Sequence, residues 1–446
     1  MTAEETALPR TASPGWRYYL QEKVLVIFFL GFSSGLPFPL VYATLSAWLE
    51  EAGVERSTIS TFAWLGFAYS LKFFWAPIVD SMRLPLLSNV FGRRRGWMLL
   101  AQLSIGVSLF VLAGADPAQN IEAFALIAFA VAFSSATQDI VIDAYRIESA
   151  EDQMQGVLAA AYQYGYRISL LISMAGALYL AEFADWSFTY MAMAGCMLVG
   201  VLTTLWCREP EAPRTPVPYS GSSVSEKIAG WFTHAVADPF RDFYARFGRF
   251  LIAILVFVSL YRISDYVLGI LANPFYLDIG YTKSEVATVA KVYGAWVTII
   301  GVGAGGWAVV RFGVARCLVV ATTLIASTNL FFAVMSQVGP ELWMLAVTIS
   351  ADNLAQGFGG TVLIAYLSSL TNRAFTATQY ALLSSFMALF PKFLAGYSGN
   401  VQESIGWLGF FLYAAVLGVP AILLAMYVAR RHDRLVGADG NGSGNG

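Results

Sequence analysis

The chain has 446 residues and a formal net charge of −2; 57% of it is hydrophobic, 15% aromatic and only 13% charged. A water-soluble domain of this length cannot cover so much apolar surface with so few charges, so a soluble globular protein is excluded and the chain belongs in a lipid bilayer.

A helix crosses the hydrocarbon with about 20 apolar residues, and about twelve such stretches are expected here. In chain order they fall at 24–49, 57–80, 97–115, 120–145, 156–182 and 186–207, then at 249–275, 284–309, 314–336, 341–370, 377–400 and 406–430. No cleavable signal pattern precedes the first, which reads as a true span. Within it, GFSSGLPFPL puts Gly31, Ser33, Ser34, Gly35, Pro37 and Pro39 into one crossing, which predicts a bent helix or a closely packed neighbour.

The basic residues between spans fall mostly on one side. Arg10, Arg17 and Lys23 precede the first span, Arg93, Arg94 and Arg95 follow the second, and Arg208, Arg214, Lys227, Arg241 and Arg246 follow the sixth. Arg311 and Arg316, Arg373, and finally Arg430, Arg431 and Arg434 complete that side, against Arg56 and Lys283 on the other. The positive-inside rule then predicts a multi-pass protein with both termini in the cytoplasm. Cys196, Cys207 and Cys317 sit in or at the ends of apolar spans, and His234 and His432 are the only histidines. No metal site, cofactor, disulfide framework or catalytic group is expected from such material.

From Glu209 to Tyr219 the sequence turns polar and proline-rich, which divides the chain. The expected organisation is a cytoplasmic segment 1–23, a six-helix half 24–207, a cytoplasmic connector 208–248, a second six-helix half 249–430 and a flexible tail 431–446. Phe240, Phe243, Tyr244 and Phe247 recur at helical spacing in the connector, which predicts a helix lying on the membrane surface. The halves are weakly repeated: AWLEEAGVERSTIS after the first span resembles PFYLDIGYTKSEVAT after the seventh, and AYRIESAEDQMQG after the fourth resembles AYLSSLTNRAFTATQ after the tenth. The fold class expected is therefore an all-α polytopic membrane protein of two pseudo-symmetric six-helix halves, the major facilitator plan. Cytoplasmic turns fit it. Asp80 followed by FGRRRGW is echoed by GWAVVRFGVAR, with Val310 in place of the acid, and the predicted cytoplasmic gate comprises Asp80, Arg93, Arg94, Arg95, Arg146, Arg311 and Arg316.

Charges within a bilayer must be paired, wetted or functional. Counting about 1.5 Å per residue from the span ends, Arg167, Arg262, Asp265 and Asp352 fall near the midplane and Lys72 slightly to the cytoplasmic side. Lys291 and Lys392 fall toward the periplasm; Asp139, Asp143 and Arg146 fall toward the cytoplasm and share one helical face. That face is read either as an ion-pair latch or as a proton path. The proton-coupling candidates are Asp265, Asp352, Asp139 and Asp143. Basic groups outnumber acidic ones at depth, which favours an anionic solute. The candidate solute contacts are Lys72, Tyr162, Gln163, Tyr166, Arg167, Arg262, Lys291, Asn353, Gln356 and Lys392, the tyrosines offering stacking faces to sugar rings and the amides bonding hydroxyls.

GFSSGLPFPL, LKFFWAPIVD, FGRRRGW, SSATQDIVIDA, GYRIS, YRISD, ADNLAQGFGG and FTATQYALLSS together resemble the AmpG-type muropeptide permeases, relatives of the acetyl-coenzyme A transporters within the major facilitator superfamily. The resemblance implies a monomeric bacterial inner-membrane importer. Its partners would be protons and GlcNAc-1,6-anhydro-MurNAc peptides, taken up for cell-wall recycling, with no nucleic acid involved; another anionic solute such as acetyl-coenzyme A is the alternative cargo. Asp352 stands where some relatives carry Glu, and Arg262 where Lys can occur.

Overall fold

The computed structural model describes residues 21–151, 154–211, 226 and 230–439. Most of the expected segment 1–23, the connector stretch that includes Arg214 and Lys227, and the end of the tail lie outside the described residues. No strand occurs among those described. Among the described residues, nine helices are long and apolar enough to cross a membrane: α1 (Glu22–Glu51), α3 (Arg93–Ala113), α4 (Ile121–Glu148), α5 (Gln155–Phe183), α6 (Trp186–Trp206), α7 (Phe250–Asp278), α8 (Val286–Phe312), α9 (Val314–Val338) and α12 (Ser398–Arg431). The three remaining predicted spans are helical but less apolar. Residues 56–81 form α2, a run of short pieces from Arg56–Thr61 to Ala76–Ser81; α10 is Leu342–Leu370 and α11 is Thr376–Ala395. These three carry Lys72, then Asp352, Asn353 and Gln356, then Lys392, so their polarity and their candidacy for function have one origin.

α1 and α7 are among the spans broken in the middle. In α1 the helix ends at Gly35, restarts at Pro37–Leu40 and starts again at Ala43, because Pro37 and Pro39 supply no amide hydrogen. In α7 the break falls at Tyr261 and Arg262, between Phe250–Leu260 and Ile263–Asp278. Interrupted helices of this kind expose backbone polar groups at depth, where a solute site can use them.

The packing repeats when each helix of the first half is replaced by the one six places later. α1 packs on α5 and α6, α3 on α4 and α6, and α2 on α4; correspondingly, α7 packs on α11 and α12, α9 on α10 and α12, and α8 on α10. Between the halves, α5 meets α8 and α10 while α11 meets α2 and α4, which is the same rule applied across the seam. Local details follow it too. Gly53 and Gly280 turn the chain after α1 and α7 at φ 76° and 106°, and Gly92 and Gly313 do so before α3 and α9 at φ 95° and 81°, a region that L side chains avoid. At the far rim the Trp186 indole donates to Glu51 at 2.7 Å, and the Trp407 indole donates to Asp278 at 2.6 Å. Each bond ties the end of the half's first span to the start of its sixth.

The connector helix Asp238–Phe247 only partly matches the expected membrane-surface helix. Phe243 and Phe247 are buried in the core of the second half, whereas Phe240 and Tyr244 stand exposed. The reason is polar. Asp242 accepts from Asn372 and Gln379 at 2.9 and 2.7 Å, and Arg246 donates to Gln379 and to the Leu370 carbonyl at 2.9 and 3.0 Å. The helix is therefore fastened to the α10–α11 turn, and only its outer stripe is left for the bilayer.

Candidate transport pathway and its gate

α1 begins and α12 ends at one end of the bundle, the arginine-rich end, and there the halves are joined by a charged network. Gly92 lets the chain turn into α3 so closely that a Cβ at this position would come within 2.6 Å of the Glu209 side chain. Glu209 in turn accepts from the amides of Arg94 and Arg95 at 2.8 and 3.0 Å, satisfying donors that the first turn of a helix otherwise leaves open. Seated in this way, Arg94 projects inward and is 1% exposed. It donates to Asp80 at 2.7 Å and to Glu148 at 2.5 and 3.0 Å.

The two carboxylates then reach the other half. Asp80 accepts both the amide and the hydroxyl of Thr378 at 3.1 Å, and Glu148 accepts the hydroxyl of Thr376 at 2.5 Å. Both threonines lie in the first turn of α11, where free amides and the helix dipole favour negative charge. Arg373 completes the seam by donating to the Ala150 carbonyl at 2.7 Å, and Arg146 donates to Ser368 at 2.8 Å.

The other predicted gate residues take different positions. Arg93 donates to the Asp80 carbonyl and lies 3.8 Å from Glu148. Arg95 turns outward and donates to the carbonyls of Thr204 and Leu205 at the end of α6, at 2.9 and 2.8 Å. Arg311 and Arg316 are exposed and lie outside the network. On their side of the seam the contact is apolar: a Cβ on Gly156 of α5 would come within 2.9 Å of Val309 of α8. The seam thus has an ionic side, where α2 and α4 grip α11, and a close-packed apolar side, where α8 meets α5.

Deeper in the bundle, Asp143 lies between Lys72 at 3.9 Å and Arg146 at 3.4 Å, and the Arg146 guanidinium covers the rings of Tyr162 and Tyr380 at 5.9 and 5.3 Å. One turn further in, Ser34 at the break of α1 donates to Asp139 at 2.5 Å and shares a 2.7 Å bond with Tyr162. Its neighbour Ser33 donates to Gln138 at 2.9 Å. α1 can approach this closely because residue 165 is glycine; a Cβ there would fall 1.9 Å from the Phe28 carbonyl.

A second cluster joins α7 to α10. Arg262, at the break of α7, donates to Asp265 at 3.1 Å and to Gln356 at 3.3 Å, and Gln356 donates to Asp352 at 2.9 Å. Asn353 is committed elsewhere, accepting from Thr298 of α8 at 2.8 Å. Gln163 lies against Gly360 of α10, its amide nitrogen 3.0 Å from where a Cβ would stand. Tyr166 packs beside Tyr162 with ring centroids 6.0 Å apart. Arg167 has a buried Nε with no hydrogen-bond partner. Lys291 is exposed, and Lys392 is exposed along its length while its amine donates to Ser70 of α2 at 3.2 Å.

Arg167, Gln163, Tyr166, Arg262, Asp265 and Asp139 all keep partial exposure at mid-span. Lipid is a poor neighbour for a guanidinium or a carboxylate, so the open side of these groups faces the space between the halves. Phe38, Tyr42 and Tyr69 extend the aromatic lining beside them, with centroids 4.7 to 6.3 Å apart. Among the groups that sequence reasoning missed, Glu148 lies just past the charged face of α4, and Thr376 and Thr378 lie in FTATQ, whose threonines mark a helix start. Their cross-half partners are set by tertiary packing alone.

Such a duplicated helical bundle, polar at depth and latched at one end, has the architecture of a solute transporter, and the comparisons with known proteins agree. The sequence profile of the Major Facilitator Superfamily matches residues 24–268. A Rickettsia felis protein named "Putative transporter AmpG 4" is 34% identical over 411 residues, covering 92% of this chain and 97% of that protein. The anhydromuropeptide permease of Escherichia coli K12 is 32% identical over 412 residues, covering 92% of this chain and 80% of the permease. In fold, the chain matches the proton:xylose symporter XylE bound to 6-bromo-6-deoxy-D-glucose with a TM-score of 0.65 at 14% identity, covering 93% and 96% of the two chains. The chain belongs to the major facilitator superfamily of transporters. Within that superfamily it is a member of the AmpG family.

Proposed function

We propose that this protein imports GlcNAc-1,6-anhydro-MurNAc peptides across the bacterial inner membrane in symport with protons, for peptidoglycan recycling. The observation that carries the reading is the mid-span set between the halves. Arg167, Arg262 and Lys72 supply cations for peptide carboxylates, while Tyr162, Tyr166 and Gln163 supply stacking faces and amides for a disaccharide. The name of one relative, the anhydromuropeptide permease of Escherichia coli, supports the same cargo. Positive-inside topology places the arginine-rich end, and with it both termini, in the cytoplasm. The latch then closes the cytoplasmic side and leaves the pathway to be loaded from the periplasm. The proposed unit of transport is the monomer, its two six-helix halves rocking about the mid-span site while the connector spans them.

In the proposed cycle a carboxylate at depth, Asp265 or Asp352, takes a periplasmic proton as the solute binds. Asp139 and Asp143 lie between that site and the latch and carry the proton or the opening signal onward. Lys291 and Lys392 attract the anion at the periplasmic mouth.

The test is uptake of labelled anhydromuropeptide into proteoliposomes under an inward proton gradient, with and without a protonophore and with acetyl-coenzyme A as competitor. Accumulation that the protonophore abolishes is the expected result. No uptake by folded, correctly inserted protein would remove the cargo assignment, and competition by acetyl-coenzyme A would move it to that class of anion.

A further inference from the structure

The buried cations of this protein are nearly all answered by a neighbour. Arg94 is held by Asp80 and Glu148, Arg146 by Asp143 and Ser368, Arg262 by Asp265 and Gln356, and Lys72 by Asp143. Arg167 differs. Its Nε is shut off from solvent without a partner, and no carboxylate among the described residues pairs with its guanidinium. The charge that acts on it most is another cation, Arg262 of α7, with Tyr166 next to it in sequence. Arg167 stands about 18 Å along α5 from Gln155, and Arg262 about 18 Å along α7 from Phe250, so the two guanidinia share one depth. Two cations at one depth that feel each other's charge, one without a counter-ion, are unfavourable in a low-dielectric interior unless something anionic comes between them for part of the cycle.

We infer that Arg167 is the carboxylate-binding residue of the pathway and that Arg262 is shared between Asp265 and the carboxylate of the arriving solute. The planar fork of Arg167 takes two oxygens at once, which an ammonium cannot do. As the carboxylate seats, Arg262 turns from Asp265 toward it. Asp265 is then left beside Asp352 without its cation and takes up a proton. The groups around Asp265 permit this: Arg262, Tyr261 and Tyr266 on its own helix, and Gln356 and Asp352 on α10. On the helices packed against α7, Lys392 of α11 gives its amine to Ser70, α9 carries Arg316 and Cys317 only near its start, and α12 carries charge only near its ends. Solute and proton load together because they exchange one guanidinium. The inference rests on the transport reading above and adds to it which of the cations takes the carboxylate and how that step couples to the proton.

The test measures binding to the purified full chain in detergent, with a pH-indicator dye reporting proton uptake. The probes are an anhydromuropeptide with free stem carboxylates, its carboxamide and acetyl-coenzyme A. Wild-type protein is expected to bind the acid about tenfold more tightly than the amide and to take up a proton with it. Arg167→Gln is expected to erase both the tenfold preference and the proton uptake. If Arg167→Gln binds the amide normally and keeps the tenfold preference, the carboxylate assignment is overturned while the cargo reading stands. If wild type binds only acetyl-coenzyme A and Arg167→Gln weakens that binding, the cargo reading falls and the carboxylate assignment stands; if wild type binds none of the three, both fall. Should Arg167→Gln not fold, Arg167→Lys, which keeps the charge and loses the fork, decides instead: a preference equal to wild type overturns the inference, and one reduced severalfold supports it.

Discussion

Asp80 of α2 accepts both the amide and the hydroxyl of Thr378 at the start of α11, each at 3.1 Å, so a side chain of one half caps a helix of the other. Arg94 holds that carboxylate in place from behind at 2.7 Å. Arg94→Ala would leave Asp80 and Glu148 buried without their shared cation, a loss of about 3–5 kcal/mol for the closed gate. We expect a cysteine placed at Ala150 to react faster with a thiol reagent applied from the arginine-rich side in this variant than in its parent. Equal rates would show that the latch does not hold the gate.

The two rim bonds, Trp186 to Glu51 and Trp407 to Asp278, lie in different halves and share no partner. Replacing either tryptophan by phenylalanine is expected to cost about 0.5–1.5 kcal/mol, since both acids are exposed. The double variant should lose roughly the sum, because the sites are independent. Unfolding of the detergent-solubilised variants, followed by tryptophan-independent circular dichroism, checks both values and their additivity.

Gly165→Ala would drive a methyl group into the Phe28 carbonyl, because its Cβ would stand 1.9 Å from that oxygen. α1 and α5 would have to separate, carrying Ser34 away from Asp139 and Tyr162. We expect poor yield of monodisperse protein in size-exclusion chromatography. Gly195→Ala is the control: a Cβ there meets nothing within 4 Å, and the variant should behave as wild type or slightly better, since alanine favours a helix by about 0.8–1.0 kcal/mol over glycine.

Asp265→Asn and Asp352→Asn each remove one carboxylate from the chain that runs through Arg262 and Gln356. At least one of them is expected to abolish accumulation driven by a proton gradient while retaining exchange of solute down its own gradient. Full gradient-driven uptake by both, at normal expression, would exclude this cluster as the proton carrier.

Much of this arrangement can be read in the sequence where it depends on composition and local spacing. The long spans, the charged face of α4, the breakers within α1 and the pairing of Arg262 with Asp265 at i,i+3 are all local features. The fragmentation of α2 is harder to read, because a run containing Lys72 and Pro77 has the hydropathy of a marginal span, whichever way it winds. The connector spacing predicts an amphipathic helix and cannot say that Phe243 and Phe247 turn to protein while Phe240 and Tyr244 turn away; Asn372 and Gln379, more than a hundred residues further on, decide that. Glu148 as the second arm of the latch, and the apolar contact of Gly156 with Val309 where Arg311 and Arg316 suggest charge, both depend on which helices meet across the seam. No spacing within one helix encodes that meeting.

The internal repeat has a consequence for the order of the chain. At the far rim each half has the same furniture, a positive-φ glycine and a tryptophan bonded to an acid. At the latch the copies have diverged: Asp80 corresponds to Val310 in the repeated turn, and Arg94, two residues beyond Gly92, corresponds to Ala315, two beyond Gly313. A circular permutant that begins with the second half would rebuild both rims and the latch, since all parts are kept. A chain made of the second half twice would rebuild the rims and have no latch at all. The duplicated unit is interchangeable as scaffolding, and the charged side of the latch resides in one copy.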